Sequence, residues 1–209
     1  DVANPDDLSF ALEGCNFVVH LAAYQDYLPD FSRFIHTNTE STALIFELIV
    51  SDPKRFHVEK VVLASSQSVC GEGRYISPSL AKKTPPTIDA QFDAINCQGV
   101  SNILAHFDIP DEAVQIPKPR PIEQLQKGDW EVRCTQTGNP MVPLLIDEEI
   151  VTPGTTYAIS KYAIELLADR LGRRYRIPTA CMRYTYVQGP RNSFYNAYND
   201  FQLVWAPGG

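Results

Sequence analysis

The chain has little positive charge. Its 209 residues carry 18 Lys and Arg against 25 Asp and Glu, a net charge of −7, so it lacks the basic face that nucleic-acid binding requires. Nucleic acid is therefore not an expected partner. An anionic small molecule stays open, because a few local arginines bind phosphate whatever the global balance. The five cysteines (Cys15, Cys70, Cys97, Cys134 and Cys181) are odd in number and scattered, with no spacing that suggests a disulfide framework. No pair of cysteines and histidines has zinc spacing, and His20, His36, His57 and His106 stand apart in the sequence, so no metal is expected. Signal peptide and long apolar span are both missing, which argues against a membrane role and for a reducing, cytoplasmic setting. A complete Gly-x-Gly-x-x-Gly phosphate turn is missing too. The nearest approach, "GEGRYI" at Gly71–Ile76, lacks the third glycine. What composition supports is one ordinary globular core: 44% apolar and 21% charged, in a chain too short for two comfortable domains.

Three short apolar runs read as strands. They are "NFVVHLAA" (Asn16–Ala23), "EKVVLASS" (Glu59–Ser66) and the run after Pro178 in "IPTACMRYTYVQGPR". Between the first two, Asp30–Asp52 has helical length and period, with Phe34, Leu44, Ile45, Leu48 and Ile49 as its apolar face. Ahead of the third lies "TTYAISKYAIELLADRL", Thr155–Leu171, a second long helix. Strands alternating with helices indicate βαβ units and a parallel sheet, an α/β fold of the Rossmann-type doubly wound kind. From about 72 to 152 the periodicity weakens and prolines accumulate, with a helix expected somewhere in Gln91–Phe107. This stretch reads as a long loop-rich excursion from a single unit spanning 1–209.

In an open α/β sheet, ligands bind beyond the carboxyl ends of the strands. Those ends are "HLAAYQD", "SSQSVCGEG" and "RYTYVQGPRNSFYN", and topology makes them converge near the start of the Tyr157 helix. Four residues on a helix bring Lys161 to within roughly 40° of Tyr157, one turn on. Spacing alone does not make them a catalytic pair. Arg183 reads more readily as a structural strand-end residue than as a ligand.

Taken in order, "HLAA", the helical Asn38, "SSQSVCG", "YAISK" and "RYTYVQGPR" resemble the extended short-chain dehydrogenase/reductases, the NAD-dependent epimerases and dehydratases of nucleotide sugars. "GEGRY", "GDWE" and Val187–Ser193 are similar to dTDP-L-rhamnose 4-epimerase-like members. The resemblance implies a 4-epimerase that transiently oxidises a nucleotide-diphosphate sugar at C4 with NAD. Tyr157 would be the general base and acid, Lys161 would lower its pKa and hold the nicotinamide ribose, and Ser66 would bond the reacting hydroxyl. Cofactor contacts would come from Asp1, Val2, Leu21, Ala22, Ala23, Asn38, Ser65, Tyr184 and Val187, besides Tyr157 and Lys161. Substrate contacts would come from Ser68, Arg191 and Asn196. Family members often form homodimers through a helix pair that includes this one.

Some positions depart from the family pattern. Cys70 stands where a tyrosine is usual, Thr137 where a second cysteine is, and Asn192 where glutamine is. The Asp-Glu pair that 4,6-dehydratases place after the hydroxylated residue is Gln67 and Ser68, which disfavours dehydration. A reductase is the other enzyme alternative. "DVANPDD" fits the adenine clamp at the end of a third family strand, which puts the Gly-rich unit upstream, and a substrate-binding portion is expected after "FQLVWAPGG". These 209 residues are accordingly expected to be the middle of a longer enzyme, inactive alone, weak in NAD affinity, and open on one apolar sheet face. The contrasting expectation is a non-catalytic nucleotide-sugar binding or interaction protein.

Overall fold

The computed structural model describes residues 1–26, 28–98, 102–185 and 187. Its centre is β2 (Lys60–Ser66), whose β-branched start and two apolar faces suit a strand with neighbours on both sides. Parallel to it run β1 (Phe17–His20), in register from Phe17↔Lys60 to His20↔Leu63, and β6 (Thr179–Tyr184), from Val61↔Thr179 to Ser66↔Tyr184. The order β1-β2-β6 brings the carboxyl ends of all three strands to one edge, as the runs predict.

One face of this sheet carries helices. Helix α1 (Pro5–Leu12) is started by Asn4, whose side chain accepts from the Asp6 and Asp7 amides at 2.9 and 3.0 Å, with Pro5 at the first position. The long helix expected at Asp30–Asp52 is three joined pieces: α2 (Phe31–Phe34), a π-helical turn (Ile35–Glu40) and α3 (Ser41–Ser51). Helix α8 (Thr156–Tyr175) is capped by Thr155, whose hydroxyl accepts from the Ala158 amide at 3.1 Å; it ends at Arg176 in the left-handed region, ahead of Pro178. Leu8, Leu12, Ile45, Phe46, Ile49, Val61, Leu63, Ile164 and Ala168 close into one core between these helices and the sheet. On the opposite face Phe17, Val19 and Met182 are exposed, in keeping with the open apolar face expected from the sequence. No helix among the described residues is long and apolar enough to cross a membrane.

The excursion is more ordered than its sequence suggests. It contains β3 (Arg74–Ile76), β4 (Val114–Gln115) and β5 (Val142–Leu144), an antiparallel sheet of order β4-β3-β5. With it, among the described residues, run the α-helices α4 (Pro78–Ala81), α5 (Ile88–Gln98), α6 (Ile103–His106) and α7 (Ile122–Gln126) and a 3-10 turn at Asp111–Ala113. Ile76, Ala81, Ile103, Ile109, Ala113 and Leu144 form a core separate from the first. Its elements are mostly two to five residues long, too short for periodicity to reveal.

The excursion leaves and returns through a narrow neck. The Thr152 amide donates to Val69 O at 2.9 Å and its hydroxyl to Cys70 O at 2.6 Å. Gly71 has φ +61, and a Cβ there would stand 2.3 Å from Thr152 O. The "GEG" run therefore serves this turn rather than a phosphate.

Candidate active site at the end of the central strand

Ser66 ends β2 in extended conformation and its hydroxyl accepts from the Ser68 amide at 3.2 Å. Thr155 sets the phase of α8 so that Tyr157 and Lys161 face this strand end. The Ser66 hydroxyl is near enough to the Tyr157 phenol to act on its titration. Lys161 is 2% exposed, donates to Ala64 O at 2.6 Å, and sits 5.7 Å from the centre of the Tyr157 ring. Tyr157 thus has Ser66 on one side and Lys161 on the other.

Their electrostatics differ from the expectation that Lys161 pulls the phenol down. Burial raises the Tyr157 phenol above its ordinary value, with the neighbouring Ser66 hydroxyl acting in the lowering direction. Burial also lowers Lys161 to about 8. Desolvation dominates both groups, and at neutral pH the phenol is protonated while the lysine is still largely charged.

Two neighbours escaped the sequence reading. His20 is buried at the end of β1 with Nε2 2.9 Å from the Ser41 hydroxyl, which itself donates to Thr37 O at 2.6 Å. Ser41 Oγ is thus an acceptor toward His20, and the imidazole carries its proton on Nε2. Burial, helped by the charge of Lys161, lowers His20 to about 4. The only sequence signal was the alternation of β1, which puts His20 on the covered face. The second neighbour is Phe34, whose ring stands 6.4 Å from that of Tyr157 at 70° and 5.0 Å from that of Tyr24.

The remaining expected site residues divide. Asn38 is fully buried on the π-helical turn. It accepts from the Tyr24 amide at 2.7 Å and donates to Tyr24 O at 3.0 Å and Ser160 Oγ at 2.9 Å. Both its amide protons thus join the loop after β1 to α8. Ser65 points to the helical face and donates to Glu165. Ser68 Oγ is buried without a protein partner among the described residues. Leu21, Ala22 and Ala23 lie exposed after β1. Tyr184 pairs in register with Ser66, and Val187 is exposed. At the chain start, Asp1 is exposed, its ammonium 2.7 Å from Asp7 and its carboxylate accepting from the Ala3 amide, while Val2 packs on the main core. Arg191 and Asn196 lie outside the described residues.

This set fits one end of a dinucleotide. Lys161 has three N–H donors, of which Ala64 O takes one. Beside it is Tyr157, an arrangement suited to ribose hydroxyls.

A parallel α/β sheet with Ser66, Tyr157 and Lys161 near its carboxyl edge is the arrangement expected of a short-chain dehydrogenase/reductase. The chain belongs to the NAD-binding family described as male sterility protein, whose family model matches residues 4–207. Among solved structures it is similar to UDP-glucuronic acid 4-epimerase from Bacillus cereus in complex with UDP-glucuronic acid and NAD, at 18% identity and TM-score 0.55, covering 98% of this chain and 44% of that one. It is also similar to DesIV, a dTDP-glucose 4,6-dehydratase from Streptomyces venezuelae with NAD and TYD bound, at 17% identity and TM-score 0.53, covering 98% and 42%. RMD from Pseudomonas aeruginosa, complexed with NADPH, gives 18% identity and TM-score 0.53, covering 94% and 46%. At these identities the likeness is one of fold. The chain spans less than half the length of each of these structures. No curated protein matches it.

Proposed function

We propose that this chain carries the catalytic trio of an NAD-dependent enzyme that interconverts a carbinol and a ketone on a nucleotide-diphosphate sugar, in the manner of a 4-epimerase. The observation that supports this reading is the gathering at the end of β2 of the Tyr157 phenol, the neighbouring Ser66 hydroxyl and the buried Lys161 ammonium, 5.7 Å from the Tyr157 ring and bonded to Ala64 O. Tyr157 and Lys161 would hold the nicotinamide-ribose end, and bound NAD would supply the hydride acceptor and donor. Ser66 fixes the sugar hydroxyl against the phenol. The protonated phenol stands ready to protonate a carbonyl oxygen, and the Lys161 charge offsets desolvation when the phenol must instead accept a proton. Gln67 and Ser68 offer neither an acid nor a base at neutral pH, so epimerisation or plain redox chemistry is favoured over dehydration.

Asn38 acts in this reading through the loop it pins, and Ser68 contacts substrate with its free hydroxyl. The exposed Ile159 and Leu166 on α8 give a homodimer, also proposed, an apolar helix face to use. Residues 1–209 alone are expected to bind NAD weakly, since they present the ribose end of the site while Gly71 is committed to the neck. Low-micromolar affinity by calorimetry would contradict this.

The decisive assay uses the polypeptide as its natural source makes it, with NAD and a panel of UDP- and dTDP-sugars followed by proton NMR. Tyr157→Phe should lower turnover by about 10²–10⁴-fold with the fold intact. NAD binding without turnover of any sugar would sink the reading.

A further inference from the structure

Behind the trio lies an ion pair that no step above employs. Glu165 is two turns beyond Tyr157 on α8 and one beyond Lys161. Its carboxylate is held on both oxygens by Arg183 of β6, Nε to Oε1 at 2.9 Å and Nη2 to Oε2 at 2.8 Å. Both side chains are largely buried, at 14% and 16% exposure. Ser65 of β2 donates to the same carboxylate. The third Arg183 nitrogen reaches the neck of the excursion from both sides, donating to Ile150 O at 3.1 Å and lying 3.6 Å from Cys70 Sγ.

Three consecutive residues of β2 thus meet three successive turns of α8: Ser66 with Tyr157, Ala64 with Lys161, Ser65 with Glu165. We infer that the Glu165–Arg183 pair positions the trio, fixing α8 on the end of β2 through Ser65 and tying the excursion's neck to the same point. A helix lying on a strand slides or rolls unless something directional stops it, and apolar contacts between Ile164, Ala168, Val61 and Leu63 are not directional. A bidentate pair with a third donor from the strand is directional. Its location sets what it controls, because Ser65 and Ser66 share a peptide bond. Any shift of Glu165 moves Ser66 away from the phenol and Ala64 O away from the lysine. The inference rests on the catalytic reading only in giving the trio a purpose.

The test therefore reads the trio directly in the full chain, without cofactor or substrate. Lysine labelled with ¹³C at Cε is followed by NMR from pH 6 to 11, the Lys161 signal being assigned by its loss in Lys161→Arg. Wild type should titrate near 8. Arg183→Lys keeps the charge but loses the fork, and Ser65→Ala leaves the ion pair whole but cuts its link to the strand. In both, loosened packing rehydrates the ammonium, and the midpoint should rise by about one pH unit. A pair that merely stabilises the fold would lower Tm and leave the midpoint unmoved. That result in Ser65→Ala, which has the smaller demand on folding, overturns the inference even if the enzyme proves an epimerase. A shifted midpoint in a protein that never turns over a sugar supports the positioning role and counts only against the proposed reaction.

Discussion

Lys161 and His20 are two basic side chains kept from water side by side, and each has a measurable consequence for stability. Lys161 titrates near 8 in the folded chain and near ~10.4 when unfolded. Below 8 both states hold the proton and the folded state bears the whole cost of a buried charge; that cost lapses as pH rises from 8 toward 10.4. Lys161→Met should therefore raise the urea unfolding free energy at pH 7 by up to about 3 kcal/mol, with the advantage shrinking above pH 8. His20 is the companion case. It is depressed to about 4, so between ~6.5 and 4 the unfolded chain takes up a proton that the folded chain refuses, and stability falls as pH falls through that window. His20→Gln, which can still offer an amide N–H to Ser41, should lose about 3 kcal/mol less than wild type between pH 7 and 4 in the same measurement. Of these residues, Tyr157, Lys161 and Ser66 were legible because their spacing and the strand-end hydroxyl recur as a set in the family. His20 and Glu165 were not. Their importance lies in partners such as Ser41 and Arg183, and one sequence gives no sign that these are close.

At the scale of elements, the long regular pieces were readable and the short or irregular ones were not. The apolar stripe of Phe34, Leu44, Ile45, Leu48 and Ile49 announced a helix; Phe34, Ile45 and Ile49 are buried, and Leu44 and Leu48 are partly buried against the same core. The π-helical turn at Ile35–Glu40 inside it was invisible, since one wider turn barely alters periodicity. Yet that turn carries Asn38 to Tyr24 and Ser160, and Thr39 to Ser160 O at 3.2 Å. The neck shows the same limit. "GEG" looked like a damaged phosphate turn, and only the approach of Thr152 explains it. Gly71→Ala should cost about 2–4 kcal/mol, combining a positive φ with a clash against backbone. A change under 1 kcal/mol in thermal unfolding would mean the neck gives way easily.

For the whole molecule, the parallel sheet and its helical layer followed from the order of the strand and helix runs, whereas the second, antiparallel sheet had no such signal. Among the described residues three buried apolar clusters result, one under β2 and two inside the excursion, around Ile76 and around Val132 and Met141, with the neck joining the excursion to the first. β1 and β2 close a loop of moderate length, but β6 must find β2 across the excursion, as Val61 meets Thr179. If the excursion folds early and pinches its neck shut, the chain between β2 and β6 is shortened to a third or so of its contour, worth roughly a fivefold gain in the rate of that pairing. Ile76→Ala, in the excursion core and far from β6 in sequence, should then delay protection of the Thr179–Tyr184 amides in pulse-labelled hydrogen exchange while leaving β1 on schedule. The bonds between Thr152 and Val69–Cys70 would in that case act before there is any active site to hold together, as the stitch that lets the last strand arrive in time.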